Sequence, residues 1–239
     1  MIPIKPVPPV LRVRGMISVL LPSRRRPQML EASIRSLRER AADLDRLEIL
    51  LAHDPDDPPT RTHAHALGVD YVWGAPERYG YAGSAHYYAH LLEVAVGEWI
   101  LPSWGDDGIM LTDEWDDIVR AQRAPSILYT TGGDRWGNNC FPIVHADIFL
   151  ATQRFPDLPA IDTWYDDVGK LSMTRIEPDP PVVLMQDRYD LTGNNDDETY
   201  REGRTGYRGA EYYSPKWTRF RLEDARAVRD FMKGRTDVR

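Results

Sequence analysis

Cysteine is nearly absent from this 239-residue sequence, in which Cys140 stands alone. No internal disulfide can form, so nothing indicates an oxidising compartment. Long apolar runs are also missing: no stretch reaches the ~20 apolar residues that a transmembrane helix requires. The Pro-rich first 15 residues lack the apolar segment of a secretory signal. We therefore expect a soluble protein of the cytoplasm, or of the host cytoplasm if the chain is viral.

An excess of positive charge is missing too. The formal net charge is −7, which argues against a general nucleic-acid binder, because such proteins neutralise phosphates with clustered Lys and Arg. The charge is uneven, since residues 201–239 hold eleven Lys/Arg and six Asp/Glu. This basic C-terminal tail could dock an anionic partner, or its cations could form a solvated helix face.

The composition that remains is that of a globular α/β protein. Hydrophobic residues make up 42% of the chain, which is enough for a core, and single α/β domains often exceed 200 residues. We expect an extended lead-in over residues 1–15, one domain over residues 16–200 and the basic tail over residues 201–239. No internal repeat or low-complexity segment divides the domain further.

Apolar runs alternate with helical spacing in the first half of the chain. The predicted strands are 16–21, 47–52, 69–72 and 98–102, and the predicted helices are 27–44, 59–67 and 83–96. This order predicts a parallel sheet with helices on both faces. The second half is less regular, with predicted helices at 113–123 and 222–232, strands at 126–130 and 182–185, and a strand-to-helix segment at 141–150.

Polar residues follow three of the predicted strands. They are the segment 23–26, Asp54, and the pair Asp106 and Asp107. Ligands of parallel sheets bind beyond the carboxyl ends of the strands. The three groups should therefore meet in one crevice.

Each group suits a different part of a charged nucleotide ligand. Two adjacent carboxylates repel each other, and a divalent cation such as Mg²⁺ or Mn²⁺ would relieve this; the alternative is an ordinary Asp-Gly turn at Asp107. Arginines at a helix start favour an anion, although segment 22–27 could be a solvated basic turn. Asp54 could accept a hydrogen bond from a nucleobase, or be a loop residue.

The order of these motifs resembles the family-two-like, inverting GT-A glycosyltransferases, phage-type members included. The resemblance is carried by segment 17–24, Asp54 and segment 97–107, and it covers residues 16–117 best. It implies that this half binds a nucleotide-sugar and that residues 118–200 bind the acceptor. The implied donor-nucleotide residues are Pro22, Ser23, Arg24, Arg26, Asp54 and Asp106, and the implied metal ligands are Asp107 and Asp106. Gly105 departs from the acidic motif, usually written DxD, because it replaces the first acid.

The acceptor half carries fewer signals. By the same resemblance, Asp162 is the candidate catalytic base, with a helix N-cap as its alternative role. The segment 184–200 holds no histidine to act as a third metal ligand, so Asp187 could replace it, or the metal could keep more waters. Trp164, His145 and Trp136 are candidate acceptor residues, although Trp164 could equally fill the core.

The resemblance predicts a metal-dependent inverting glycosyltransferase that moves a sugar from a nucleotide-diphosphate donor, UDP-sugar being favoured, to an acceptor hydroxyl. The cofactor would be Mn²⁺ or Mg²⁺. The acceptor could be a protein, a glycan or a modified DNA base. One alternative is a sugar-phosphate nucleotidyltransferase, but those usually have a Gly-rich loop where Pro22 to Arg26 stand here. Another is a binding module that kept the fold and lost the chemistry.

Overall fold

A computed structural model describes residues 1–132, 141–187, 198, 201–202 and 209–236 of the chain. Its strands are β1 (Ile2–Pro3), β2 (Val13–Pro22), β3 (Leu47–His53), β4 (Tyr71–Gly74), β5 (Gly97–Leu101), β6 (Gly108–Met110), β7 (Ile127–Leu128), β8 (Ile143–His145), β9 (Arg154–Phe155), β10 (Arg175–Ile176) and β11 (Leu184–Gln186). Its helices are α1 (Pro27–Glu39), α2 (Pro58–Ala66), α3 (Ser84–Val94), α4 (Trp115–Arg120), α5 (Ala146–Thr152), α6 (Ile161–Ser172), α7 (Gly209–Tyr212) and α8 (Pro215–Thr236).

The central sheet has seven strands in the order β10-β7-β8-β5-β2-β3-β4. β2 runs parallel to both β3 and β5, and β3 runs parallel to β4. This confirms the alternation predicted for the first half of the chain. β8 is antiparallel to its neighbours β5 and β7, a reversal that the sequence did not indicate.

The strand order places a topological switch point between β2 and β5. From β2 the chain proceeds outward through β3 to β4, and then returns to add β5 on the other side of β2. The connections therefore diverge at this point and leave a crevice beyond the two carboxyl ends. Such crevices are the usual ligand sites of open α/β sheets.

The local pattern of the sequence explains the first strand and helix. Ile17 to Leu21 is apolar except at Ser18, and all of it is buried, as expected for a strand covered on both faces. In α1 the residues Leu30, Ile34 and Leu37 recur at helical spacing and face the core. Pro27 occupies the first turn of α1, where its missing N–H costs nothing.

Two hydrophobic cores lie on opposite faces of the sheet, because alternate residues of β2 point in opposite directions. Ile17 and Val19 pack into one core with α1, α2 and α4. Leu20 packs into the other core with α3, α5, α6 and α8. Both cores pack against the same central strands, so packing on both faces sets the positions of the strand ends that form the crevice.

The ends of the chain pack onto the domain. β1 pairs with β9 in antiparallel register and Ile4 is buried, so the lead-in joins the fold. In α8, the residues Trp217, Ala225 and Val228 are buried, whereas the cations of this helix are mostly exposed. Among the helices that the structure describes, none is long and apolar enough to cross a membrane.

Candidate active site

The loop that follows β2 is held in place by the loop that follows β3. Arg25 has a φ of 53°, a left-handed conformation that is uncommon outside glycine. Its backbone N–H donates to Asp57 Oδ2 over 2.7 Å and to Thr60 Oγ1 over 3.2 Å. Asp57 also caps α2 by accepting from the backbone N–H of Thr60. The backbone of the loop is therefore determined before any ligand binds.

Asp106 lies at the switch point in contact with this loop. The Ser23 hydroxyl donates to Asp106 Oδ2 over 2.8 Å, and Arg26 Nη1 donates to Oδ1 over 3.2 Å. Burial raises the pKa of Asp106 to about 6, with the charge of Asp107 acting in the same direction and Arg26 opposing it. The sequence prediction that these groups would converge is therefore confirmed in position.

Asp107 is supported by the short ribbon of β6 and β11. Gln186 Nε2 donates to Asp107 Oδ2 over 3.0 Å, and the Asp187 N–H donates to the Asp107 carbonyl over 2.7 Å. A Cβ atom on Gly105 would stand 2.5 Å from Asp107 Oδ1. The glycine that breaks the acidic motif thus leaves room for the Asp107 carboxylate. Asp187 is brought beside Asp107 by ribbon pairing alone.

The carboxylates of Asp106 and Asp107 suit a hard divalent cation, which prefers oxygen ligands. No group of three or more His, Cys, Asp or Glu within the described ranges could enclose a metal. Mg²⁺ commonly binds through one or two carboxylates together with the phosphates of its substrate, without a complete protein cage. The donor set present here fits that shared mode of binding.

A second polar cluster surrounds Asp54 at the end of β3. The Tyr87 hydroxyl donates to Asp54 Oδ1, and Arg24 Nη1 donates to Oδ2 over 2.8 Å. Arg24 also pairs with Asp56 over 2.5 Å, which lowers the pKa of that exposed carboxyl to about 2. Arg24 Nε is buried and has no hydrogen-bond partner in the described part of the chain. Burial raises the pKa of Tyr87, and its bond to Asp54 adds to this.

Sequence reasoning did not select Tyr87 or Tyr88, although helical spacing along α3 directs both towards the sheet. The Tyr88 hydroxyl donates to the Trp104 carbonyl over 3.0 Å. Burial raises its pKa well above the usual value, and the charges of Asp107, Asp106 and Asp162 contribute in the same direction. The charges of Asp106, Asp107 and Asp162 thus all act on one buried hydroxyl.

Asp162 is the second residue of α6 and is half-buried. Its Oδ1 accepts the backbone N–H of Thr163 over 2.7 Å. Ala160 occupies the N-cap position of α6 and makes no side-chain cap. The alternative role of Asp162 as the N-cap was therefore wrong.

Two of the acceptor candidates lie where no acceptor can contact them. Trp164 is 0% exposed, and its Nε1 donates to Asp224 Oδ2 over 3.1 Å, so it fills the core. His145 is buried and pairs with Trp99, the middle residue of β5, and its Nε2 lies 3.7 Å from Glu98 Oε1. Its Nδ1 accepts from the Asp147 N–H and caps α5. Trp136 lies outside the described residues.

In metal-free buffer, we expect Asp106→Asn to raise the free energy of unfolding at pH 8 by up to about 3 kcal/mol. The Asp106 carboxyl titrates near pH 6 in the folded chain, against an unperturbed value of 3.8. Between pH 3.8 and about pH 6 the folded state binds a proton that the unfolded state has lost, so the stability of the wild type falls as the pH rises. Asparagine does not ionise, so the stability of the variant does not show this fall. Urea unfolding measures the difference from pH 8 to pH 3, and it should vanish below about pH 4. A difference that is the same at every pH contradicts the assignment.

No protein-family model and no curated protein matches the sequence. The structure, in contrast, is similar to several solved glycosyltransferases. The mannosyltransferase PcManGT from Pyrobaculum calidifontis, solved with GDP-Man and Mn²⁺, is 14% identical with a TM-score of 0.59, and the match covers 94% of this chain and 76% of that one.

Two further structures show the same likeness. S. aureus TarS 1–349, solved with UDP, is 12% identical with a TM-score of 0.54, and the match covers 78% of this chain and 68% of that one. Glucosyl-3-phosphoglycerate synthase from Mycobacterium tuberculosis, also with UDP, is 12% identical with a TM-score of 0.52, covering 88% and 80%. The strand order and these likenesses together establish that the chain has the GT-A fold of glycosyltransferases.

Proposed function

We propose that the chain is a metal-dependent glycosyltransferase that moves a sugar from a nucleotide-diphosphate donor to an acceptor hydroxyl with inversion at the anomeric carbon. The observation that carries the proposal is the contact of Ser23 and Arg26 with Asp106 at the switch point, with Asp107 adjacent. A basic loop, a helix start and two carboxylates at one strand end suit a diphosphate and its counter-ion.

The donor nucleotide would lie across the carboxyl ends of β2, β3 and β5. Arg26 and the start of α1 would receive the diphosphate, because guanidinium groups and helix N-termini both favour anions. The base would lie near Asp54, whose carboxylate can accept an N–H. The buried Nε of Arg24, which has no partner among the described residues, supports a ligand acceptor there. We favour a UDP-sugar, since two of the three solved structures described above contain UDP.

Asp107, with Asp106, would hold Mn²⁺ or Mg²⁺, and Asp187 contacts Asp107 through its backbone N–H. A bound cation supplies charge neutralisation that makes the nucleoside diphosphate a better leaving group. Gln186 holds one oxygen of Asp107, which orients the carboxylate. In the free protein, Ser23 and Arg26 keep Asp106 hydrogen-bonded.

Asp162 would act as the general base. Its carboxylate takes the proton of the acceptor hydroxyl while that oxygen attacks the anomeric carbon from the face opposite the diphosphate. The bond between the anomeric carbon and the diphosphate oxygen breaks, and its electron pair leaves with the nucleoside diphosphate. The bond from Thr163 to Oδ1 of Asp162 fixes the orientation of the carboxylate for this transfer.

Isothermal titration with UDP, GDP, CDP and dTDP, with and without Mn²⁺, tests the donor site. One nucleotide is expected to bind in the presence of Mn²⁺, and Asp107→Ala should weaken this binding by about a hundredfold, since the variant removes a charged ligand. Asp113→Ala is the matched control, because Asp113 is an exposed acid close by in sequence that pairs only with Arg40 among the described contacts.

Release of the nucleoside diphosphate from each sugar nucleotide then measures catalysis. Release that depends on Mn²⁺ and is lost in Asp107→Ala is the expected result. Binding of a nucleotide without any release would favour the catalytically degenerate binding module. If no nucleotide binds, the proposed function is wrong and only the fold remains.

A further inference from the structure

A second polar pocket lies at the opposite edge of the sheet, where β2, β3 and β5 begin. It has a volume of about 500 Å³ and is lined by Arg14, Gly15, Arg46, Glu98 and Arg120. Eight steps along the extended chain of β2 separate Gly15 from Ser23, which at ~3.3 Å per residue is roughly 25 Å. The pocket is therefore separate from the proposed donor site.

Arg120 contributes its side chain to the lining of this pocket. Its Nη2 pairs with Asp116 and, over 2.7 Å, with Asp117, which holds the guanidinium in place. Its Nη1 is buried and has no hydrogen-bond partner among the described residues. The two ion pairs therefore fix the position of this side chain in the pocket wall.

Arg14 and Arg46 supply positive charge that little else offsets. Arg14 is exposed and makes no hydrogen bond or ion pair within the described ranges. Arg46 has one ion pair, to Asp43 over 3.3 Å on its own short turn. Both side chains can turn towards an anion in the pocket without giving up a buried contact.

Gly15 allows the guanidinium groups to approach the backbone. It has a φ of +74°, and a Cβ atom there would stand 3.2 Å from Arg46 Nη1 and 3.4 Å from the Arg120 side chain. Any other residue would be strained in this conformation and would narrow the pocket. The glycine therefore keeps open the space between two of the arginines.

Glu98 limits which chemical groups a ligand of this pocket can carry beside its anionic group. Its Oε2 accepts the Gly15 N–H over 2.8 Å, and its Oε1 lies 3.7 Å from His145 Nε2. A second anionic group on the ligand would be repelled here, whereas a hydroxyl could donate to the carboxylate. The lining of three arginines and one glutamate complements a single phosphate dianion joined to a neutral, hydroxyl-bearing remainder.

We propose that this pocket binds a small phosphorylated polyol, such as a sugar monophosphate, through Arg14 and Arg46, with Arg120 held in the pocket wall. Guanidinium groups bind phosphate with charge-assisted hydrogen bonds. The volume exceeds that of inorganic phosphate, so the pocket has room for the polyol. The proposal does not depend on the proposed transferase activity.

Isothermal titration of the full chain with glucose 6-phosphate, inorganic phosphate and glucose at low salt tests this. We expect glucose 6-phosphate to bind at one site per chain, inorganic phosphate to bind more weakly and glucose not to bind. The double variant Arg14→Gln/Arg46→Gln should weaken the binding of glucose 6-phosphate by about tenfold or more, because it removes two charged donors.

Two other variants locate the site. Arg35→Gln replaces an exposed arginine on α1 that makes only i,i+4 pairs, and it should bind like the wild type. Arg26→Gln, in the donor loop, should also bind like the wild type. Loss of binding in Arg26→Gln with retention in Arg14→Gln/Arg46→Gln would place the phosphate at the donor site and overturn the proposal, as would absence of binding by the wild type. Equal unfolding temperatures without ligand exclude misfolding of the double variant.

Discussion

Asp162→Asn is expected to lower the turnover of sugar transfer by about 10²- to 10⁴-fold while the affinity for the nucleoside diphosphate stays unchanged. The amide is nearly the same size as the carboxylate, and its oxygen can still accept the Thr163 N–H that Asp162 binds over 2.7 Å. It cannot take a proton from the acceptor. Steady-state release of nucleoside diphosphate in the presence of acceptor gives turnover, and titration calorimetry gives donor affinity.

Asp157→Asn is the matched control, because this partly exposed acid precedes the same helix and lies 3.7 Å from His86. Its turnover should equal that of the wild type. If Asp162→Asn keeps more than a tenth of wild-type turnover, another residue is the base.

Trp164→Ala is expected to lower the free energy of unfolding by about 3–5 kcal/mol. The ring is 0% exposed and meets Trp217 edge-to-face with the ring centres 5.9 Å apart. Its removal leaves a cavity between α6 and α8 and takes away the N–H that Asp224 accepts. Typical domains are stable by only about 5–15 kcal/mol, so the loss is a large fraction of the total.

Urea unfolding measures this change, with Met173→Ala as the control, because the Met173 side chain is 84% exposed. The control should change stability by no more than about 0.5 kcal/mol. If Trp164→Ala unfolds like the wild type but fails to use acceptor, the acceptor role that the sequence suggested for Trp164 is restored.

The C-terminal tail, residues 201–239, includes α8 and therefore contributes to the same packing. Removal of residues 201–239 would expose the core around Trp164, so its effect on acceptor use could not be separated from unfolding.

The geometry of a parallel sheet explains why the site residues in the first half of the chain could be predicted. Apolar runs and helical spacing are local patterns, and the alternation they produce requires parallel strands. Parallel strands bring their carboxyl ends to one edge, so Ser23, Asp54 and Asp106 had to lie near one another whatever the details of packing. The sequence also contained Gly105, but only the position of the Asp107 carboxylate explains why a glycine stands there.

The site predictions for residues 118–200 depended on contacts between residues that are distant in the chain. A buried and an exposed tryptophan look alike in sequence, and α8, more than 50 residues further on, covers Trp164. His145 is the last residue of β8, and the carboxyl end of β8 points away from that of β5 because the two strands are antiparallel. No local pattern encodes this direction. The pairing of β11 with β6 likewise brings Asp187 to Asp107.

The sequence by itself therefore determined the α/β class, the four parallel strands of the first half and the edge at which their polar residues meet, because these follow from short-range periodicity and from the geometry of parallel strands. Only the tertiary structure decided which side chains are buried, which strand is reversed and how Tyr87, Gln186 and α8 support the site, because burial and strand pairing arise between segments that are far apart in the chain.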